Sequence, residues 1–209
     1  MNIYLDFEGF TNKEYALLPP VLVGYKIRGK FVQYILDAEF KMLENEVKNL
    51  SFISFESFLD QIIEYSIKKK LTICAYSGHE LDLIEKYSKY SKEEINYLDV
   101  RKKVKKFVNS NIKLKKLHKN MKEFENKDKY NKTRWKLSTM LRLFRFQNFD
   151  IKTYGGGVTT KRLRDVMSGL KRSKDFSGLT RTQKGKWTKL LNHNRIDVDG
   201  IEYLMDIIS

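Results

Sequence analysis

Two acidic residues near the N-terminus, Asp6 and Glu8, are the first in this sequence whose spacing could support chemistry. They lie in the segment Asn2–Phe10, which alternates like a buried strand, and residues two apart on a strand point to the same face of the sheet. Two carboxylates on one face repel each other unless a cation, a proton or basic side chains intervene. Mg²⁺ and Mn²⁺ take oxygen ligands, so the pair is interpreted either as a divalent-cation site or as an acidic strand face that meets water or a basic side chain.

Helical periodicity selects a third acid after Ser77, where a short apolar run ends and a helix is predicted to begin with Ser77 as its N-cap. Glu80 and Ile84 lie four residues apart on the predicted core face of this helix, whereas Asp82 shares a face with charged residues. We therefore expect Glu80 to point inward. The alternative is an acid stabilised by the helix dipole alone.

A fourth acid, Asp197, lies on the apolar face of the predicted C-terminal helix together with Ile201 and Leu204. His193 lies one turn before Asp197, so both side chains can face the same cavity. A histidine is suited to take a proton from water, although a lone histidine on such a face is more often a structural residue. Four acids that converge would require two metal ions, a site suited to phosphodiester hydrolysis.

Strands and a crossover helix are predicted to position these acids. After the first strand, Val21–Ile27 and Phe31–Leu36 flank a tight turn and predict an antiparallel meander. An amphipathic helix over residues 55–68 leads to a central strand over residues 71–76, which favours parallel pairing with the first strand. The pattern predicts an α/β fold with a mixed sheet.

Helices are predicted for most of the remaining chain, which we interpret as one domain over residues 1–209. The predicted segments are a helical connection over 91–108, a Lys-rich helical insertion over about 101–136 with a loop near Glu125–Thr133, a short helix from Leu137, and two helical pieces over 177–209. Between them, Gly155–Gly157 ends an irregular loop where a ligand could approach the backbone closely.

Charge is unevenly distributed along this 209-residue chain, whose net charge is +15. Residues 101–136 carry 15 basic against 3 acidic side chains, and residues 158–189 carry 10 against 2. Basic blocks on a scaffold with clustered acids suit a protein that binds a polyanion and a cation, and a solvated basic surface is the alternative.

The most suitable nucleic-acid contacts lie in the second basic block, where Thr159 or Thr160 could cap a helix whose start would bind phosphate. The predicted contacts are Lys161, Arg162, Arg164, Lys184 and Lys186. Tyr154 or Trp187 could stack on bases, although a tryptophan is more often a core residue.

Cysteine content and hydropathy exclude several other classes. Cys74 is the single cysteine, so neither an intramolecular disulfide nor a cysteine zinc cluster can form. The N-terminus has the pattern of a strand rather than a signal peptide, and no apolar run has membrane-spanning length. We therefore expect an intracellular, cytoplasmic protein with no membrane partner.

The acidic motifs resemble those of the DEDD exonucleases in the ribonuclease H-like superfamily. Leu5–Glu8 resembles their first motif, Ala75–Asp82 their second, and His193–Asp197 their third, especially its Tyr-Asn-x-x-Asp form. The second motif of the family normally supplies aspartate, so Asp82 stays an alternative to Glu80. The histidine subgroup of the family places its histidine five residues before the aspartate, whereas His193 precedes Asp197 by four.

The resemblance implies a central mixed sheet flanked by helices and two Mg²⁺ or Mn²⁺ ions. It implies a 3'-to-5' exonuclease on single-stranded DNA or RNA, in which His193 activates water and four acids hold the metals: Asp6, Glu8, Glu80 and Asp197. The alternatives are an inactive nucleic-acid-binding module of a larger complex with a protein partner, and a structure-selective endonuclease.

Overall fold

A mixed six-stranded sheet forms the centre of the computed structural model, which describes residues 1–10, 18–44, 50–121, 135–147, 149, 158–173 and 175–209. Its order within these residues is β4-β3-β2-β1-β5-β6. The strands are β1 (Asn2–Glu8), β2 (Leu22–Ile27), β3 (Lys30–Ile35), β4 (Leu50–Phe52), β5 (Thr72–Ala75) and β6 (Tyr97–Asp99).

The sheet contains both kinds of pairing. Strands β1, β2 and β3 form an antiparallel meander, whereas β5 is parallel to β1 and to β6, and β4 is parallel to β3. The predicted α/β fold is confirmed, and the arrangement is consistent with a ribonuclease H-like sheet.

Helices flank this sheet. They are a 3₁₀ helix (Ala38–Leu43), α1 (Phe55–Lys69), α2 (His79–Tyr87), α3 (Val100–Ser110), α4 (Ile112–Met121), α5 (Leu137–Leu143), α6 (Thr159–Ser173) and α7 (Arg181–Ile208). None of the described helices is long and apolar enough to cross a membrane.

Two predicted helical segments are wrong. Residues 91–108 contain β6, whose three residues are too short to establish a strand period in the sequence. The C-terminal segment is a single helix, α7, because buried residues recur along its whole length instead of stopping at the polar residues near His193. Leu141 packs so closely on α7 that a Cβ at Gly200 would lie 2.8 Å from it.

Alternation along β1 sends its side chains to two faces of the sheet. Ile3 and Leu5 pack in a core with α1 and α2, whereas Tyr4 packs with residues of α3, α5 and α7. Asp6 and Glu8 have the parity of Tyr4, so their carboxylates face α7. A third core lies between β2, β3, the 3₁₀ helix, α6 and the first half of α7, around the fully buried Trp187.

Several sequence predictions lie outside the described residues. They concern Tyr154, the glycines Gly155–Gly157, and the loop near Glu125–Thr133 with the adjoining part of the Lys-rich block. Residues 101–110 and 112–121 of that block are helical, in α3 and α4.

The start of α7 is fixed by a capping box, in which the Thr180 hydroxyl accepts from the Gln183 main chain while the Gln183 side chain accepts from Thr180. Thr180→Ala removes this cap and is expected to lower the free energy of unfolding by about 1 kcal/mol. Urea unfolding followed by circular dichroism measures the change. Thr188→Ala, at an exposed position within the same helix, is the control and should change stability by less than about 0.5 kcal/mol. Equal losses in the two variants would contradict the capping role.

Candidate metal centre

Strand β1 brings two acids to the face that α7 covers. Asp6 pairs with Gly24 and Glu8 with Leu22 across the β1–β2 ladder. Glu8 is buried and Asp6 is half-buried, so the Glu8 carboxylate does not lie on a solvated strand face, and the basic side chain whose charge acts on it is Arg162.

Helix α7 adds a buried histidine and a buried acid to the Glu8 carboxylate. His193 Nε2 lies 3.5 Å from Glu8 Oε1 and 3.6 Å from Asp197 Oδ2. One ligand atom from each residue lies within 4.8 Å of the others. Bonds of roughly 2.0–2.2 Å to a shared metal ion place neighbouring ligand atoms about 3–4 Å apart, so this group has the spacing to hold a divalent cation.

Glu80 comes from the first turn of α2 and points inward as its helical phase predicts. It is buried and accepts a hydrogen bond of 2.8 Å from Ser77 Oγ, whereas Asp82 is exposed. The predicted N-cap is wrong by one residue, because Gly78 occupies that position. The Ser77 hydroxyl accepts from the His79 main-chain N–H at 3.2 Å and donates to Glu80. The negative charge of Glu80 acts on both Asp6 and Glu8, which associates it with the same group of acids.

The acids raise one another's proton affinity. Burial raises the pKa of the Asp6 carboxyl well above its usual range, and the charges of neighbouring acids raise it further. The pKa of Glu8 is also raised well above its usual range, first by burial and then by Asp197. The pKa of Glu80 is raised by burial and less by the charge of Asp99. A divalent cation would relieve the same repulsion that protons relieve here, and carboxylate oxygens are the ligands that Mg²⁺ and Mn²⁺ prefer.

Helix α6 begins beside Glu8. The Thr159 hydroxyl donates to the Glu8 carboxylate, and the positive charge of Arg162 lowers the pKa of Glu8, partly offsetting burial. Arg162 is half-buried, and its Nη1 atom is buried without a hydrogen-bond partner among the described residues. Of the predicted phosphate contacts, Arg162 is therefore the one that faces the acids.

The other predicted phosphate contacts differ in their exposure and partners. Lys161 and Arg164 are exposed on α6. Lys186 is paired with Asp165 at 2.5 Å, and Lys184 donates to the Ser177 carbonyl at 3.0 Å. The proposed stacking role of Trp187 is wrong, because its ring is fully buried against Phe40.

The sequence interpretation missed two polar residues at this site. Asn194 is fully buried and donates to Asp6 Oδ2 at 2.9 Å, and Gln33 on β3 donates to Asn194. Asn194 lies three residues before Asp197, so the helical phase that selected Asp197 also selects Asn194. No sequence signal marks Gln33.

Comparisons of the chain with protein-family models, curated proteins and solved structures return no match. The chemistry of the site is therefore argued from its geometry.

Glu8→Gln tests the electrostatic state of this centre. Because the folded-state pKa of Glu8 is raised, its protonation contributes stability that is present below the ordinary glutamate range and is lost as the pH rises through the raised pKa. Without metal, the variant should be more stable than the parent by about 1–3 kcal/mol near pH 8, and the difference should shrink towards zero near pH 4. Urea unfolding in a chelator at both pH values measures it.

Glu85→Gln, on the exposed side of α2, is the matched control and should change stability by less than about 0.5 kcal/mol at either pH. A destabilised Glu8→Gln variant at the higher pH would show that Glu8 is not under electrostatic strain.

Proposed function

We propose that this protein is a divalent-metal-dependent nuclease of the DEDD exonuclease type that hydrolyses phosphodiester bonds of single-stranded DNA or RNA from the 3' end. The observation that carries the proposal is the convergence of Glu8 from β1 with His193 and Asp197 from α7, within 4.8 Å, beside two further acids. Helical spacing brings His193 close to Asp197, but no local pattern in the sequence brings Glu8 to them.

Asp6, Glu8, Glu80 and Asp197 would hold two Mg²⁺ or Mn²⁺ ions. When bound, such ions supply Lewis acidity towards the attacking water and the leaving oxygen. Without a metal ion, the negative charge of the acids would repel a phosphodiester. The site would therefore bind a cation before it binds the nucleic acid. Thr159 donates a hydrogen bond to Glu8 from the side of α6, and the positive charge of Arg162 stabilises the ionised Glu8 carboxylate.

His193 is assigned proton transfer rather than metal binding. The centre already contains four carboxylates, which suffice for hard cations, and imidazole ordinarily changes charge near neutral pH. Its Nε2 faces the space shared by Glu8 and Asp197, where an attacking water would bind. The imidazole would accept the proton of that water as the water oxygen bonds to phosphorus and the bond from phosphorus to the leaving oxygen of the strand breaks. The leaving oxygen would take its proton from solvent.

The substrate class follows from charge next to the acids. Helix α6 begins at Thr159, beside Glu8, and its first turns carry the exposed Lys161 and Arg164. Phosphates that flank the scissile one would lie along these side chains, while the partly buried Arg162 would contact the scissile phosphate.

Glu80→Gln and Asp82→Asn form a matched pair from one helical turn, of which only the first is buried. Glu80→Gln should lower the rate of cleavage of a labelled single strand in Mn²⁺ by more than about 100-fold. Loss of a residue that only supports a metal ligand typically lowers activity by about 10–100-fold, and loss of the ligand itself should lower it further. Asp82→Asn should retain parental activity within about twofold, and Asp6→Asn should behave like Glu80→Gln.

The labelled products identify the mode of attack. Release of mononucleotides from the 3' end, with a circular strand left intact, is expected, whereas cleavage of the circle would establish an endonuclease. Degradation by Asp6→Asn at the parental rate would overturn the metal centre. Salt-sensitive binding without cleavage by the parent would instead indicate the inactive binding module.

Phosphate contact by α6 is tested with Lys161→Ala/Arg164→Ala. Each lost phosphate contact should reduce the slope of log affinity against log salt by roughly 0.7 on a single strand. Fluorescence anisotropy of a labelled strand, in Ca²⁺ to limit cleavage, measures the slope. Lys171→Ala is the control, since Lys171 lies in the last turn of α6 and pairs with Glu39. An unchanged slope in the double variant would exclude this path for the strand.

A further inference from the structure

A row of hydrogen-bonded side chains connects β3, α7 and β1 at the candidate metal centre. Gln33 Nε2 donates to Asn194 Oδ1 at 2.9 Å, and Asn194 Nδ2 donates to Asp6 Oδ2 at 2.9 Å and to the Asp6 carbonyl at 3.0 Å. Gln33 Nε2 also donates to the Leu191 carbonyl at 3.0 Å. All four contacts lie between segments distant in the sequence.

The direction of every donor in this row is fixed. Main-chain carbonyls only accept, so the Leu191 carbonyl requires the amide nitrogen of Gln33 on its side. That nitrogen in turn requires the oxygen of the Asn194 carboxamide. The amino group of Asn194 is therefore directed at Asp6, where the Asp6 carbonyl again can only accept. Acceptors at both ends thus determine the orientation of two amides that could otherwise rotate by half a turn.

Gly24 makes room for this row. Asp6, Gly24 and Gln33 lie opposite one another on three neighbouring strands, and Asn194 crosses above the middle one. A Cβ at Gly24 would lie 2.1 Å from Asn194 Oδ1 and 2.9 Å from its Cγ, both shorter than any tolerated contact. Because Asn194 is completely buried in this row, it could move aside only by breaking its hydrogen bonds to Gln33 and Asp6.

We propose that Gln33 and Asn194 are positioning residues for cation binding: they fix the Asp6 carboxylate by one oxygen, Oδ2, so that Oδ1 would be available to a divalent cation. The proposal rests on the metal-dependent function proposed above and extends it to Asn194 and to Gln33, which lies on a strand that carries no acid of the centre. Supporting residues that orient a metal ligand typically contribute about 10–100-fold to metal affinity.

Gln33→Glu tests the orientation without changing the shape of the side chain. A carboxylate at this position cannot donate to the Leu191 carbonyl or to Asn194 Oδ1, so the Asn194 carboxamide should rotate and present its oxygen to Asp6. Mn²⁺ affinity, measured by calorimetry on the full chain, is expected to fall by about 10–100-fold. Simple electrostatics predicts the opposite sign, because an added negative charge strengthens cation binding.

Gly24→Ala provides a second route to the same effect, by steric displacement of Asn194. It should weaken Mn²⁺ binding in the same range, and circular dichroism checks that both variants fold. Gln61→Glu adds the same charge at an exposed position of α1 and should leave the affinity unchanged.

For the two test variants, the Mn²⁺ concentration that gives half-maximal cleavage should rise, whereas the KM for the oligonucleotide at saturating Mn²⁺ should not.

The outcomes separate this proposal from the function on which it rests. If the parent protein binds Mn²⁺ and the folded Gln33→Glu variant binds it equally or more tightly, the positioning role alone is overturned. A parent protein that binds no Mn²⁺ would overturn the metal-dependent function and the positioning role with it.

Discussion

Repulsion between buried carboxylates is the constraint on which the geometry of this centre depends. Three of the four acids have a supporting donor of their own: Asn194 for Asp6, Thr159 for Glu8 and Ser77 for Glu80. These donors fix the positions of the oxygens without neutralising them, since the carboxyl pKa values remain raised. The arrangement therefore favours any species that brings positive charge to it, whether protons or a divalent cation.

The same constraint explains why α7 is long and continuous. Its polar residues at the centre lie between two apolar stretches, one anchored by Trp187 and Leu190 and the other by Ile201 and Leu204. Each stretch packs in a different core, so the segment that carries His193, Asn194 and Asp197 is held at both ends. A break in the helix at this point would release Asp197 from its position opposite β1. Burial of the apolar ends thus offsets the unfavourable burial of charge between them.

Periodicity predicted this fold where a segment was long enough to express it. Helix α1 and the burial of Glu80 and Asp197 follow from spacing within one segment. The meander and the parallel β1–β5 pair follow from the order of neighbouring segments and from the turn or helix that connects them. Strands β4 and β6 have three residues each, which cannot display a period. The contact between Gln33 and Asn194 depends on the register of three strands and on the placement of a helix above them. Such a contact is a property of the assembled sheet, so no local pattern encodes it.

The position of His193 in the helix determines what it can do. Four residues of α-helix turn through about 400°, so His193 lies only about 40° from Asp197 and one turn above it, whereas an offset of five would place it about 140° away. The offset of four therefore puts the imidazole among the acids instead of at their edge, as the distances of 3.5 and 3.6 Å show. In its protonated form the ring would attract both carboxylates, as a metal ion would. The imidazole and a divalent cation would therefore occupy the same place between Glu8 and Asp197 and compete for the same carboxylate oxygens.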